Sequence, residues 1–489
     1  MNPGLGRLLL AALGGAGLGL GQVPWSLWPL GMAGLSLVLH LANAEETPRR
    51  AALLVFVSGL GHFALTLSWI TQPFLVEAER TGWMAPFALA LMAGGAAVFW
   101  ALPVWLMRRW RGGLAALVLA LGLSDLARGY VLTGFPWALF GHIWLDTPLA
   151  QVAALVGQTG LSLLTLTAAG LAAGALRRRA LWLPALLVLS LPWGFGVWRL
   201  AQPLPPPAGP VLRLVQPNLS QAAKWEPGLA RRHFERLLAA TRAAPGVDLV
   251  IWPETALPYR LESSPDIPGA IASAGGGAGV MFGHQRTEGA RGWNSLAVLG
   301  ADGALLAGYD KHHLVPFGEY IPFGDLLYDR FGIGAFAART GKAYLAGPGP
   351  RVLDLGPLGK VLPLICYEAV FPQDLRTGGV RAGWIVQVTN DAWFGTRSGP
   401  FQHAALARLR ATEQGLPLAR VANTGVTQMI DARGQVTASL AFGVEGHLDA
   451  ALPGPLPATP YSRWGEAPVL VLLFAIGLWL FRSGRGRAA

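Results

Sequence analysis

A bundle of membrane-crossing helices carrying one α/β layered domain is the fold class this chain predicts, and three observations point to it. Hydrophobic residues make up 53% of the chain and charged residues 13%, against about 25% charged in an ordinary globular protein, and the mean hydropathy is +0.43. Residues 1–200 break into apolar stretches, each near the roughly 20 residues that cross a bilayer as a helix. Two proline-rich segments, Gln202-Pro-Leu-Pro-Pro-Pro-Ala-Gly-Pro210 and Leu452-Pro-Gly-Pro-Leu-Pro-Ala-Thr-Pro460, bracket a more polar block. That block has roughly 240 residues, a normal size for one domain, and such segments act as stiff spacers.

In chain order the apolar stretches are Leu5–Gly21, Leu27–Leu41, Ala51–Ile70, Pro86–Met107, Leu114–Leu126, Ala150–Leu176, Leu181–Leu200 and Val469–Phe481. They predict about eight transmembrane helices. The first is diluted by Gly14, Gly15, Gly17, Gly19 and Gly21; it is read as an uncleaved helix because no small-x-small cleavage site precedes the next stretch. Arg49-Arg50, Arg108-Arg109-Trp110-Arg111, Arg177-Arg178-Arg179 and the tail Arg482, Arg485 and Arg487 fall on every second connection. The positive-inside rule then puts both termini in the cytoplasm and the large insertion outside. The resulting organisation is helices one to seven over 1–200, a linker over 201–210, the insertion over 211–451, a second linker over 452–465, and a last helix with its tail over 466–489.

The net charge of +11 does not indicate nucleic acid, because the arginines are spread over connections between apolar stretches rather than gathered on one face. Ionisable residues inside the stretches are scarce, Asp125 and Arg128 lying near a helix end. A transporter with an inactive outer domain is therefore a weaker reading than a helical platform for chemistry done elsewhere.

Within the insertion, Val211–Val215, Leu249–Trp252, Gly279–Phe282, Ser295–Leu299, Val361–Cys366 and Trp384–Thr389 read as strands, and Leu229–Arg242 and Gln402–Gln414 as helices. Three apolar runs end in reactive residues: Asp248-Leu-Val-Ile-Trp-Pro-Glu254, Leu305-Leu-Ala-Gly-Tyr-Asp-Lys311 and Val361-Leu-Pro-Leu-Ile-Cys366. Strand ends are where a rigid scaffold presents functional groups. Cys366 is the one cysteine of the chain, so it cannot form an internal disulfide; its value is either that of a small buried hydrophobe or that of a thiol. Lysine occurs only at 224, 311, 342 and 360, and a compact ammonium kept at 311 amid so many arginines suggests a point-charge role. His312 and His313 adjoin it, but no HExxH or CxxC spacing is present, and neighbours on an extended strand point to opposite faces, so no metal is expected. Gly275-Gly-Gly-Ala-Gly279 lacks a following Lys-Ser or Lys-Thr and reads as a loop.

Four separated motifs in order resemble the nitrilase superfamily, and more narrowly the bacterial apolipoprotein N-acyltransferases, its membrane-embedded branch. They are Trp252-Pro-Glu254; Tyr309-Asp-Lys-His-His-Leu-Val-Pro-Phe-Gly-Glu-Tyr320; Ile365-Cys-Tyr-Glu368; and Thr389-Asn-Asp-Ala-Trp-Phe-Gly395 with Pro400-Phe-Gln-His403. The resemblance covers the whole chain and implies an αββα sandwich with a Glu-Lys-Cys triad on Glu254, Lys311 and Cys366. It further implies supporting roles for Glu319, Tyr367 and Glu368, and a substrate-side tryptophan at Trp225. Leu416 stands where such proteins often carry arginine. The implied activity moves an sn-1 acyl chain from a phospholipid such as phosphatidylethanolamine, through a thioester on Cys366, to the α-amino group of a diacylglyceryl-cysteine on an apolipoprotein. No cofactor is implied, the enzyme is expected to act as a monomer, and its place is the bacterial inner membrane with the catalytic domain on the periplasmic side. An apolar arm running from Tyr320 to Phe336, with Phe323, Leu327 and Phe331, is expected to dip into the outer leaflet, although these residues would equally suit a core. A membrane-tethered amidase using water as acceptor is the nearest rival; the large helical domain argues against it.

Overall fold

The computed structural model describes residues 3–207, 209–224, 226–242, 246–289, 291–322 and 343–485. Trp225 and nearly all of the expected apolar arm, including Phe323, Leu327 and Phe331, lie outside them. The chain divides into two compact units, one of residues 1–203, 394–405 and 458–489, the other of residues 204–393 and 406–457.

In the first unit the apolar stretches form helices Pro3–Leu20, Trp28–Asn43, Pro48–Thr66, Ala85–Trp110, Leu114–Arg128, Ala153–Ala175, Trp182–Ala201 and Ala467–Arg485. Among the described residues, the helical segments long and apolar enough to cross a membrane number three, Ala78–Trp110, Pro148–Ala175 and Arg179–Ala201, or four if the bent pair Pro48–Thr66 and Ser68–Leu75 counts as one span. This is fewer than the eight the sequence suggests, and for two of the helices length is the reason. Trp28–Asn43 has 16 residues and Leu114–Arg128 has 15; at 1.5 Å per residue each is about 24 Å or less, short of a hydrocarbon core of about 30 Å.

Glycine in the first helix has a packing purpose. A Cβ on Gly15 would stand 1.9 Å from the Ser58 carbonyl oxygen and one on Gly34 2.3 Å from that of Gly14, so these helices meet backbone to backbone, as small residues permit. The polar residues of this unit gather on an irregular, buried stretch around the short 3₁₀ turn Phe140–Trp144. Gln22 Nε2 donates to the Leu139 carbonyl (3.0 Å), His62 Nε2 lies 3.1 Å from that of Ala138, and the Asp125 carboxylate accepts from the Phe140 N–H (2.9 Å). Ser162 Oγ accepts from Gly141 N–H at 3.0 Å, and Arg128 donates to the Trp137 carbonyl while facing Asp125 at 3.6 Å. Non-helical backbone away from water needs such partners. Asp125 and Arg128 are thus explained by the loop they hold.

The second unit has twelve strands among its described residues, in two six-stranded sheets. The first has the order β12-β1-β2-β3-β4-β5, from β1 (Val211–Gln216), β2 (Leu249–Ile251), β3 (Gly279–Glu288), β4 (Arg291–Leu299), β5 (Leu305–Asp310) and β12 (Gly446–Ala451). The second runs β11-β10-β9-β8-β7-β6, from β6 (Leu353–Asp354), β7 (Lys360–Ile365), β8 (Trp384–Thr389), β9 (Leu418–Ala422), β10 (Thr427–Ile430) and β11 (Val436–Leu440). Each sheet has a parallel centre, β1-β2-β3 in one and β7-β8-β9 in the other, with antiparallel strands outside it. The sheets meet through β1 against β9 and β4 against β7.

Helices cover the outer faces. Phe234, Leu237 and Ile271, from helices Ala230–Thr241 and Asp266–Gly275, share a core with Val250, Trp252, Val280 and Phe282. Ala407 and Ala411 of helix Gly399–Gln414 pack with Leu362, Leu364, Ile385 and Leu418. This helix, sheet, sheet, helix layering is the αββα sandwich expected. The central strands are buried along their length, as strands covered on both faces must be, and so read as continuous apolar runs.

Candidate active site

Glu254, Lys311 and Cys366 follow β2, β5 and β7, at the same end of the sandwich as Asn390, which follows β8. All four are buried. The turn after β2 brings Glu254 close against β3, with Gly283 N–H donating to the Pro253 carbonyl (3.2 Å) and Leu257 N–H to that of Gly283 (3.2 Å). Only glycine fits at 283, because a Cβ there would lie 2.5 Å from Thr255 N and 2.7 Å from Glu254 Cα.

The Glu254 carboxylate is held at both oxygens. Oε1 accepts from Asn294 Nδ2 at 2.7 Å and Oε2 from the Asn390 N–H at 2.8 Å. Lys311 Nζ stands 3.7 Å from Glu254 Oε1 and donates to Glu319 at 3.0 and 2.9 Å. Glu319 in turn accepts from Asn294 Nδ2 (3.0 Å) and Val315 N–H (2.9 Å). Burial alone would depress the Lys311 ammonium, but the charges of Glu319 and Glu254 outweigh it and hold its pKa above the ordinary lysine value. An ammonium held in this way can stabilise a negative charge that develops beside it.

Cys366 adopts φ +53°, a left-handed conformation that costs of order 1–3 kcal/mol in a residue with a Cβ. It turns the chain sharply from β7 into the 3₁₀ segment Cys366–Val370. Burial first, then the Glu254 charge, pushes the thiol above its usual range, while Lys311 and a hydrogen bond with the Thr389 hydroxyl pull the other way. The surroundings of the thiol, which include a carboxylate and an ammonium, thus favour its protonated form. Nucleophilic use of such a thiol needs a base as it attacks, and the neighbouring carboxylate held at both oxygens is Glu254.

Glu368, fully buried, joins two of these elements. One oxygen accepts from Tyr309 OH (2.9 Å) and His312 N–H (2.8 Å), flanking Lys311, and the other accepts from Ile365 N–H (2.7 Å), beside Cys366. Tyr367, also buried, makes edge contacts with His313 and Phe371. The two histidines do not point apart as an extended strand would require, because β5 stops at Asp310. His313 Nδ1 is 2.9 Å and His312 Nε2 3.4 Å from Asp374 Oδ2, and ligand-type atoms of all three residues lie within 4.8 Å of one another. His312 Nδ1 also faces Glu368 Oε1 at 2.6 Å. Burial lowers the His312 pKa, but the bonds to Asp374 and Glu368 overcome this and raise it to about 9. The set reads as a clasp of two imidazoles on one buried carboxylate, with donor atoms near enough to one another to meet a metal ion.

The carbon-nitrogen hydrolase signature matches residues 212–456, and that of the apolipoprotein N-acyltransferase N-terminal domain matches residues 14–171. The apolipoprotein N-acyltransferase of Rhodopseudomonas palustris is 37% identical over 96% of this chain and 93% of its own, and that of Caulobacter vibrioides 38% identical over 96% and 93%. This chain belongs to the apolipoprotein N-acyltransferase family. Among solved structures, an amidase from Nesterenkonia sp. is similar, at 17% identity over 52% of this chain and 94% of the amidase, with a TM-score of 0.39.

In this apolipoprotein N-acyltransferase family member, the structure brings together Glu254, Lys311, Cys366, Glu319 and Glu368, with Tyr367 beside them; Trp225 is outside the described residues. Sequence reasoning missed Asn294, which bridges the two carboxylates from the middle of β4. Its signal was the one amide in the largely apolar run Trp293-Asn-Ser-Leu-Ala-Val-Leu299. It also passed over Lys224, whose buried Nζ donates to the Glu254 carbonyl (3.0 Å) and Thr255 Oγ1 (2.6 Å). Burial depresses that ammonium to about 8.

Proposed function

We propose that this protein is an N-acyltransferase that completes lipoprotein maturation by moving an sn-1 acyl chain from a phospholipid to the α-amino group of an apolipoprotein's diacylglyceryl-cysteine. The observation that carries the reading is the burial together of the Cys366 thiol, the Glu254 carboxylate anchored at both oxygens and the Lys311 ammonium 3.7 Å from it, in a chain of this family. Glu254 takes the Sγ proton as sulfur attacks the ester carbonyl. The oxyanion that forms is stabilised by the Lys311 ammonium and neighbouring backbone N–H groups. Collapse breaks the bond to the glycerol oxygen, which leaves as lysophospholipid with the proton from Glu254, and the acyl chain remains as a Cys366 thioester. The acceptor amine, with an ordinary pKa of about 7.7–8.0, then attacks the thioester. Glu254 takes its proton, the amide forms, and the thiol is restored. Glu319, Glu368 and Tyr367 hold the reacting groups in place, and the family resemblance gives Trp225 a role in binding substrate. No cofactor enters this scheme.

The same reading assigns residues 1–200 and 466–489 to a membrane domain of about eight spans, 211–451 to the catalytic domain, and 201–210 and 452–465 to linkers. The shorter apolar helices Gly4–Leu20 and Ala467–Ser483 belong with the longer ones in that domain. The arginine pattern supports an inner-membrane enzyme with cytoplasmic termini and a periplasmic catalytic domain, and the scheme asks for one protomer.

Purified protein in detergent, given phosphatidylethanolamine without acceptor, is expected to gain one acyl mass on Cys366 that neutral hydroxylamine releases. A diacylglyceryl-peptide should then discharge it as an N-acyl peptide. A folded protein that forms no adduct sinks the thioester route, and an adduct discharged only by water would make the protein a hydrolase.

A further inference from the structure

The reading of Cys366 as nucleophile leaves unexplained what holds its carbonyl. A residue with positive φ just past the end of a strand turns that carbonyl out of the ladder; the last β7–β8 pair is Ile365 with Val388. The Cys366 carbonyl accepts instead from a side chain, Gln387 Nε2, at 3.1 Å. Gln387 is fully buried in the middle of β8. Its own carbonyl oxygen accepts from Arg420 at 2.5 Å, and Arg420 is its directly paired neighbour on β9.

Arg420, also fully buried, donates its other terminal nitrogen to Asp391 Oδ2 at 2.5 Å. Asp391 Oδ1 accepts from the Thr389 hydroxyl at 3.0 Å. The path from the Cys366 carbonyl through Gln387, Arg420 and Asp391 thus ends on Thr389, the hydroxyl that also bonds the Cys366 side chain. Arg420 orients the Gln387 amide, since a guanidinium can only donate and fixes which end of the amide faces the carbonyl. It also neutralises Asp391, whose bare charge would disfavour thiolate.

We infer that Gln387 and Arg420 are positioning residues for the acyl-transfer step: together with Asp391 they form a buried bracket that keeps Cys366 in its left-handed conformation, with the sulfur presented to the ester. This rests on the proposed role of Cys366. Neither residue touches substrate in this scheme; both act through the geometry of the nucleophile.

The test measures two rates on the full-length protein in detergent: acyl-adduct formation from phosphatidylethanolamine, and alkylation of the single cysteine by iodoacetamide. Gln387→Glu keeps size and the pair with Arg420 but, as a carboxylate, replaces the donor to the Cys366 carbonyl with an acceptor. Both rates are expected to fall at least tenfold, with phospholipid affinity and Tm close to wild type. Arg420→Lys, which keeps the charge beside Asp391 but lacks the planar fork, should fall between wild type and Gln387→Glu. Should Gln387→Glu fail to accumulate as folded protein, Arg420→Lys carries the same prediction alone. Wild-type adduct and alkylation rates in either folded variant would overturn the bracket. So would a loss confined to lipid affinity. If wild-type protein itself forms no adduct, the nucleophile assignment has failed; if wild type reacts and the variants match it, only the bracket has.

Discussion

Asn294→Leu tests the site at its least conspicuous member. The side chains are close in size, and the change removes two hydrogen bonds from one amide nitrogen, 2.7 Å to Glu254 and 3.0 Å to Glu319. Glu319 retains Lys311 and the Val315 N–H, but Glu254 keeps only the Asn390 N–H at 2.8 Å and a longer approach to Lys311 at 3.7 Å. With one firm anchor in place of two, the carboxylate is free to rotate away from the thiol. A hydrogen bond to a charged group is worth about 1.5–3 kcal/mol. If that amount is lost from the transition state alone, the rate of Cys366 acylation should fall about 10- to 150-fold. The assay is the time course of the acyl adduct by intact mass at saturating phospholipid, beside thermal unfolding of the same preparation. A folded Asn294→Leu protein acylating at the wild-type rate would refute the view that Glu254 must be held from both sides.

Cys366→Ala should form no adduct while inserting and purifying normally; N-acylation retained in that variant would end the thioester scheme. Lys311→Met should leave Glu254 and Glu319 facing one another without their cation, and both acylation and Tm should drop, the former at least a hundredfold. The His312 clasp predicts a pH effect on stability. Its imidazolium titrates at about 9 in the folded protein against an ordinary 6.5, so its contribution is complete below pH 6.5 and is lost as pH rises through 9. Tm should decline over that window, and Asp374→Asn should flatten the decline. In the first unit, Gly15→Ala would drive a methyl into the Ser58 carbonyl, whereas a Cβ on Gly94 meets nothing within 4 Å. Overpacking of this kind costs about 1–3 kcal/mol or more, so the yield of folded Gly15→Ala protein should fall and that of Gly94→Ala should not.

The groups at strand ends were legible in the chain because each is announced locally: a buried run stops and a reactive residue follows. Asn294 has no such announcement, since its importance lies in where β4 passes relative to Glu254 and Glu319, which sequence spacing does not encode. Gln387 and Arg420 are hidden for the same reason, being paired only once β8 and β9 lie side by side. The edge strands β11 and β12 escaped notice because none of their residues is buried, leaving little continuous apolar signal. The second unit's α/β layering was nonetheless readable from strands such as β2, β7 and β8, while the two-sheet sandwich came with the family resemblance, and β9 was not read as a strand. The helices of the first unit were also placed well, but composition could not show that several stop at 15 to 18 residues. The reading of His312 and His313 failed on one boundary, the end of β5 at Asp310.

The irregular stretch around Phe140–Trp144 has a bearing on biosynthesis. Its hydrogen-bond partners come from both directions along the chain: Gln22, His62, Asp125 and Arg128 are made before it, and Ser162 after it. A ribosome delivers these in order, so the stretch emerges with four of these five anchors already synthesised and the last still to come. Its backbone cannot be fully satisfied until helix Ala153–Ala175 has taken its place, and until then it has reason to stay near water. The final shape of this unit is therefore set late, when a downstream helix closes over a segment that had to wait for it.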